Sequence, residues 1–216
     1  MRALVSELGL AGVLCTADAM HCQIKTIAAV KASGGEALLQ VKGNQPSLEA
    51  AFEALPVRHE PEDCHVETGK IRRNRQEKRV VEVFRAGSIL DLPEWRTDVV
   101  EAVRVTRTVQ RQDVAIGWKW RPTHDVAWYA STRQGTSAEQ YAAATRGHWG
   151  VENRVHYILD VSMHEDASRV RKSPTILSIL RSFALNILRF NKVNNVADAL
   201  WRNAMNLNRV LAYSGI

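Results

Sequence analysis

Two carboxylates stand where chemistry could be done. Asp18 follows the apolar run Val13-Leu14-Cys15-Thr16-Ala17, so it closes a strand of buried character, at the strand end where α/β sheets gather functional groups. Little positive charge lies near it in sequence. It reads equally as the N-cap of the helix that follows. Glu152 lies midway between His148 and His156, a spacing of four that puts all three on one face of a helix. A carboxylate between two imidazoles can ligate a hard divalent cation or join a hydrogen-bonded polar network. The other reading is a solvated stripe opposite Trp149, Val151, Val155 and Ile158.

The third chemical feature is charge. Lys70, Arg72, Arg73, Arg75, Lys78, Arg79 and Arg85 face only Glu77 and Glu82 within residues 69–85, giving that stretch +5 of a total of +6. A basic cluster beside a near-neutral body is the footprint of a phosphate-backbone binder, and equally of a solvated strand face. Residues 173–216 hold five basic side chains against one acidic. The His21-Cys22 and Cys64-His65 pairs could suggest zinc, but their spacing matches no standard finger.

The elements that must position these groups are legible in outline. The run Val13–Ala17 reads as a strand, residues 21–33 as a helix stopped at Gly34-Gly35, and Ala37–Val41 as a second strand. A strand, helix and strand at this spacing form a βαβ unit, so the two strands should be parallel and neighbours or near neighbours. Residues 2–8 read as the end of a helix carrying Glu7. From 56 to 135 the pattern alternates, as at Val81 and Val83 or Val99, Val103 and Val105, with Ala127-Trp128-Tyr129-Ala130 as another strand and Pro93 and Pro122 as breaks. Thr136 and Glu139 form a capping box opening a helix to about Leu159, bent at Gly147 or Gly150. A further helix starts at Pro174, with Ile176, Ile179, Leu180, Phe183, Ile187 and Leu188 as a core-facing stripe. A weaker helix spans 195–213.

Composition narrows the class. With 216 residues, 45% hydrophobic and 24% charged, the chain can bury a core, and disordered and fibrous classes are excluded. Three cysteines without a CxxC pair argue for a reducing compartment. Arg2 and the apolar stretch after it mimic a secretory signal, but Ser6 and Glu7 interrupt it. No apolar run approaches the roughly 18 residues that cross a bilayer. The expectation is a cytoplasmic protein with no membrane partner.

Six blocks then become recognisable in order: Thr16-Ala-Asp-Ala-Met-His-Cys-Gln23, Val41-Lys-Gly-Asn-Gln45, Arg146-Gly-His-Trp-Gly-Val-Glu-Asn153, His156-Tyr-Ile-Leu-Asp-Val161, Glu165-Asp-Ala-Ser-Arg-Val-Arg171 and Ala184-Leu-Asn-Ile-Leu-Arg189. From about residue 1 to about 190 the chain resembles the DDE transposases of bacterial insertion sequences, in the H-repeat-associated group. The resemblance implies an α/β, RNase-H-like core with a β-rich insertion, in a nucleoid-associated bacterial protein. It implies DNA transposition, the metal-dependent cleavage and transfer of strands at insertion-sequence ends, with two Mg²⁺ or Mn²⁺ ions held by three carboxylates. The family's second Asp maps onto Asp18 and its Glu onto Glu152, as catalytic residues and metal ligands. The first Asp stands in an Asp-Gly-Lys context that this sequence lacks, and Glu7 on its expected helix is no substitute. The opening strands of the core are therefore expected to be missing, leaving the first strand as an exposed, association-prone edge.

On this reading residues 1–55 are a partial core, 56–135 the insertion, 136–190 core helices carrying Glu152, and 191–216 a helical tail. Lys42, Asn44, Gln45, Arg72, Arg73, Arg75, Arg146, His148, Trp149, Asn153, Arg169 and Arg171 are candidates for contact with double-stranded DNA. Trp149 reads equally as core, Lys42 as a solvated strand end, and Arg169 and Arg171 as partners of Glu165 and Asp166. The chain as it stands is expected to be an inactive, truncated transposase; the alternative is a non-catalytic DNA-binding remnant. An unrelated hydrolase using His148, Glu152 and His156 would leave the other five blocks unexplained.

Overall fold

The computed structural model describes residues 9–87, 90–113, 117 and 119–215, and divides into two compact units, residues 1–148 and 149–216. The helix expected over residues 2–8, with Glu7, lies outside the described residues.

The first unit is built on one six-stranded sheet, β1 (Leu14–Ala17), β2 (Glu36–Val41), β3 (Asp63–Thr68), β4 (Arg75–Arg85), β5 (Glu101–Asp113) and β6 (Lys119–Ser131), in the order β1-β2-β6-β5-β4-β3. The expected βαβ unit is present: β1 and β2 pair in parallel, Leu14 opposite Glu36 and Ala17 opposite Leu39, with helix α1 (Ile24–Ala32) between them. That helix starts later than residue 21, because Asp18 caps a 3₁₀ turn over Ala19–His21 and Gln23 is still extended. It stops as expected. Gly34 takes φ +75°, Gly35 N–H donates to the Val30 carbonyl and Gly34 N–H to that of Lys31, which closes a Schellman cap.

Helix α2 (Pro46–Arg58) escaped the sequence reading, and residue 56 falls inside it. Its signals were present, with Pro46 at the first helical position and Leu48, Phe52 and Leu55 buried along one side. The alternating segment beyond it does not form a sheet of its own, because β6 pairs antiparallel with β2, Leu38 opposite Ser131 and Val41 opposite Trp128. Pro122 does not break β6. It lies opposite Gln110 of β5, beyond the Trp128–Ser131 stretch that β2 covers, where a missing N–H is tolerated. A single helical turn, α3 (Pro93–Arg96), precedes β5 and buries Trp95.

Alternate residues of the strands feed two cores. Ala37, Leu39, Val41, Phe84, Ala102, Trp128 and Ala130 pack with α1 and α2 on one face. Leu38, Val81, Val83, Val103, Val105 and Tyr129 pack on the other against Ala138, Tyr141 and Ala142 of helix α4 (Ala138–Val151). The helix opens one residue later than Thr136/Glu139 would place it: Ser137 and Gln140 form the capping box, Ser137 Oγ accepting from Gln140 N–H and Gln140 Oε1 from Ser137 N–H, each at 3.2 Å. Thr136 is buried instead.

In the second unit the backbone after Val151 does not bend at a glycine but passes into π-helical turns over Glu152–His156 and Ile158–Ser162. Helices α5 (Pro174–Phe190), α6 (Val196–Met205) and α7 (Leu207–Leu211) follow. Their core gathers Leu159, Leu185, Leu188, Val196 and Ala199. The α5 stripe departs from expectation: Leu188 is buried, but Ile176, Ile179, Leu180 and Phe183 are each more than half exposed, because this small core faces the Leu185–Leu188 side of the helix. Among the described residues no helix is long and apolar enough to cross a membrane.

Candidate active site

Because β1 and β2 are parallel, their carboxyl ends lie side by side, and both end in polar residues. Asp18 follows the buried Ala17 and is itself exposed; one carboxylate oxygen accepts from Ala19 N–H at 2.7 Å, as an N-cap does. Its surroundings are less poor in positive charge than the sequence suggested, since Lys42 at the end of β2 brings Nζ to 4.0 Å of the other strand's carboxylate. Sequence distance hid a neighbour that parallel pairing supplies.

Asn44 and Gln45 turn inward. Asn44 Nδ2 donates to the Ala19 carbonyl at 2.6 Å and Gln45 Nε2 to that of Cys22 at 2.9 Å, so both amides hold the loop that carries Asp18. On the strand itself, Thr16 Oγ1 lies 3.2 Å from His148 Nδ1, two residues before Asp18. His148 sits one helical turn before Glu152 in the sequence.

Helix α4 is held by groups that sequence reasoning missed. Asp63 Oδ2 accepts from Ala138 N–H at 2.7 Å, and the buried Glu101 carboxylate accepts from Tyr141 Oη and from Gly135 N–H, both at 2.7 Å. Burial and the Glu101 charge push the Tyr141 phenol well above its ordinary pKa, so it stays a donor. Farther along, Arg146 pairs with Glu67 of β3. The only hint in the sequence was a charged residue within an apolar-alternating strand at Glu101.

In the second unit Glu152 is exposed and opens the first π turn, with Asn153 Nδ2 donating to the Trp149 carbonyl at 3.0 Å. Bonding of residue i to i+5 takes Glu152 and His156 off the common α-helical line that a spacing of four would give. Trp149, Val151 and Val155 are exposed, so the apolar stripe opposite Glu152 is not a buried one. Arg169 and Arg171 are exposed, and among the described residues neither forms an ion pair with Glu165 or Asp166. Glu165 accepts instead from Ser178 Oγ at 2.5 Å, tying its loop to α5.

Arg72, Arg73 and Arg75 lie at the far end of the sheet. Arg72 and Arg75 bridge each other across a two-residue turn, Arg73-Asn74, with φ of +48° and +57°. The basic run thus turns through a tight hairpin at Arg73-Asn74 before it enters β4 at Arg75. His21 and Cys22 belong to the β1 edge and Cys64 and His65 to the β3 edge, which separates the histidine–cysteine pairs; burial pushes the Cys22 thiol up to about 12. Among the described residues no three His, Cys, Asp or Glu side chains stand together as a metal-holding group. Asp18 and Glu152 are oxygen donors of the kind that suit Mg²⁺.

The transposase DDE domain model matches residues 1–205. "Putative protein YbfL" of Escherichia coli K12 is 31% identical over 202 residues, covering 88% of this chain and 51% of that protein. "H repeat-associated putative transposase YhhI" of the same strain shows the same identity and coverage. "Putative transposase YncI" of Escherichia coli O157:H7 is 33% identical over 193 residues, covering 86% of this chain and 48% of its own length. The chain thus spans about half the length of the curated relatives it matches. The crystal structure of Streptomyces venezuelae DesVI overlaps with a TM-score of 0.27 at 19% identity, over 64% of this chain and 51% of that one, too little to bear on the fold.

Proposed function

Since the chain belongs to the transposase DDE domain family, we propose that its chemistry is metal-dependent cleavage and transfer of DNA strands, with Asp18 and Glu152 as the two carboxylates it contributes. The observation that carries this reading is the bond between Thr16 and His148. It joins the strand that leads to Asp18 to helix α4, which carries His148 of the same motif block as Glu152, over a sequence separation of 132 residues. Asp18 keeps one carboxylate oxygen off the Ala19 cap, and Lys42 offers a cation that would hold an incoming phosphate.

Asp18 and Glu152 would hold a divalent cation, which supplies charge stabilisation for the displacement at phosphorus when bound. On the same reading Lys42, Arg146, His148, Trp149, Asn153, Arg169 and Arg171 contact the DNA backbone or stack on bases, while Asn44 and Gln45 keep the Asp18 loop in place. The RNase-H-like architecture is part of the same proposal, supported by the parallel β1–β2 pair carrying Asp18 at its carboxyl end. Only two carboxylates of this chain match the family's motif blocks, so the 216 residues alone bind DNA without cutting it.

The experiment combines Mn²⁺ binding with nicking of an insertion-sequence-end duplex. Asp18→Asn and Glu152→Gln should each weaken Mn²⁺ binding about tenfold or more, and no variant, nor the parent chain, should nick the duplex. If both substitutions leave Mn²⁺ affinity unchanged, the pair is not a metal site. Nicking by the parent chain that Glu152→Ala abolishes would establish a third carboxylate within it and overturn the inactivity.

A further inference from the structure

Helix α5 is apolar over more of its surface than its own unit covers. The core of that unit takes Leu185 and Leu188, while Ile176, Ile179, Leu180, Phe183 and Phe190 remain 56–70% exposed and Ile187 is half-buried. At about 100° of helix turn per residue these six share one arc of about 100°. No charged side chain falls within that arc: Asn186 borders it on one side and Ala184 on the other, and Arg181 and Arg189 lie farther round the helix. A helix that is apolar on two sides is one that is covered on both.

The spacing along the exposed stripe selects what fits it. Ile176, Ile179, Phe183, Ile187 and Phe190 follow at intervals of three, four, four and three residues, so the stripe reads the same from either end about Phe183. A second α5 laid antiparallel about Phe183 brings Ile176 to the level of Phe190, Ile179 to that of Ile187 and Phe183 to its own counterpart, with Leu180 beside Ile187. Such a patch is complementary to itself, the property that a two-fold interface needs. A parallel pair would set Arg181 and Arg189 each level with its own copy and align the two helix dipoles, whereas the antiparallel pair sets them level with Leu185 and Leu177. Covering five side chains of about 200 Å² each at their present exposure withdraws about 600 Å² per copy. The total of about 1,200 Å² stands at the lower bound of a specific association.

We propose that α5 is a dimerisation helix: it pairs with α5 of a second copy of this chain, antiparallel about Phe183, with no need of DNA or metal. An uncharged interface of this modest size gives micromolar association, and added salt does not weaken it as it weakens contacts to phosphate. The phenyl rings of the two Phe183 side chains meet on the two-fold axis, where an offset or edge-to-face pair adds to the area buried.

The test is sedimentation equilibrium of the whole, nuclease-treated chain at low and at high salt. The parent should pass from monomer to dimer between about 1 and about 100 μM and be no weaker at high salt. Phe183→Glu, which sets two carboxylates face to face, should raise the dissociation constant on the order of a hundredfold, while the dilute, monomeric variant melts as the parent does because Phe183 is exposed in a single copy. Disulfide trapping reads the geometry separately, with Cys64→Ala removing the exposed native thiol. In that background Phe183→Cys should cross-link to itself. Ile176→Cys should cross-link to Phe190→Cys in a mixture but not to itself, since the two copies of residue 176 then lie about 21 Å apart along the helices. Self-linking of Ile176→Cys overturns the antiparallel pair. A dimer that Phe183→Glu leaves intact, or a parent that stays monomeric at about 100 μM, overturns the proposal and leaves the face to another polypeptide or a lipid surface.

Discussion

At the scale of single residues, Glu77 answers the arginines that the strand register sets around it. Burial pushes the Glu77 carboxyl up, but hydrogen bonds from Arg107 and Arg79, and then their charges, outweigh it and hold its pKa at about 2. A carboxyl depressed on folding stabilises the native state above its ordinary pKa and loses that contribution as pH falls towards the depressed one. Glu77→Gln should therefore cost about 1–2 kcal/mol at pH 7, since it leaves Arg79 and Arg107 opposed. The gap between parent and variant should close between pH 4.5 and pH 2 in urea unfolding. A gap independent of pH would mean that Glu77 acts by packing alone.

At the scale of elements, helix α4 matters most, because it leads from the sheet to the π turn that opens at Glu152. Its first turn is held from β3 as well as locally: Asp63 Oδ2 accepts from Ala138 N–H while Oδ1 accepts from Cys64 N–H at 2.8 Å. Asp63→Ala should lower stability by about 1 kcal/mol, as loss of a helix cap does, and should speed hydrogen exchange in the first turn of α4. Unchanged protection there would show that Ser137 and Gln140 suffice. The capping box one residue from its expected place has a plain cause: Thr136 is drawn into the core beside Tyr141, and Ser137 is left at the boundary.

At the scale of the molecule, the buried clusters divide without sharing a residue: two flank the sheet between Leu10 and Ala142, and one joins Leu159 to α5 and α6. Leu188→Ala should cost about 2–4 kcal/mol and accelerate exchange in α5 and α6 while leaving the sheet's amides protected. Phe52→Ala should do the reverse. Exchange that rises everywhere in both variants would show one cooperative core. Among the described strands β1 pairs with β2 and stands at one end of the strand order.

Much of this was legible in the residues themselves, where local physics decides. The parallel β1–β2 pair, the glycine stop at Gly34-Gly35 and the helix from Pro174 follow from short-range steric and hydrophobic patterns, and six ordered motif blocks carried the family. What needed the tertiary structure was every feature made by partners distant in the chain. Lys42 beside Asp18, His148 beside Thr16, Asp63 and Glu101 holding α4, and the opposed arginines exist because strand register brings together residues up to 132 positions apart. The exposure of Ile176, Ile179, Leu180 and Phe183 belongs here too: periodicity shows that a helix has an apolar face, but only the packing decides which apolar side chains a small core has room to cover.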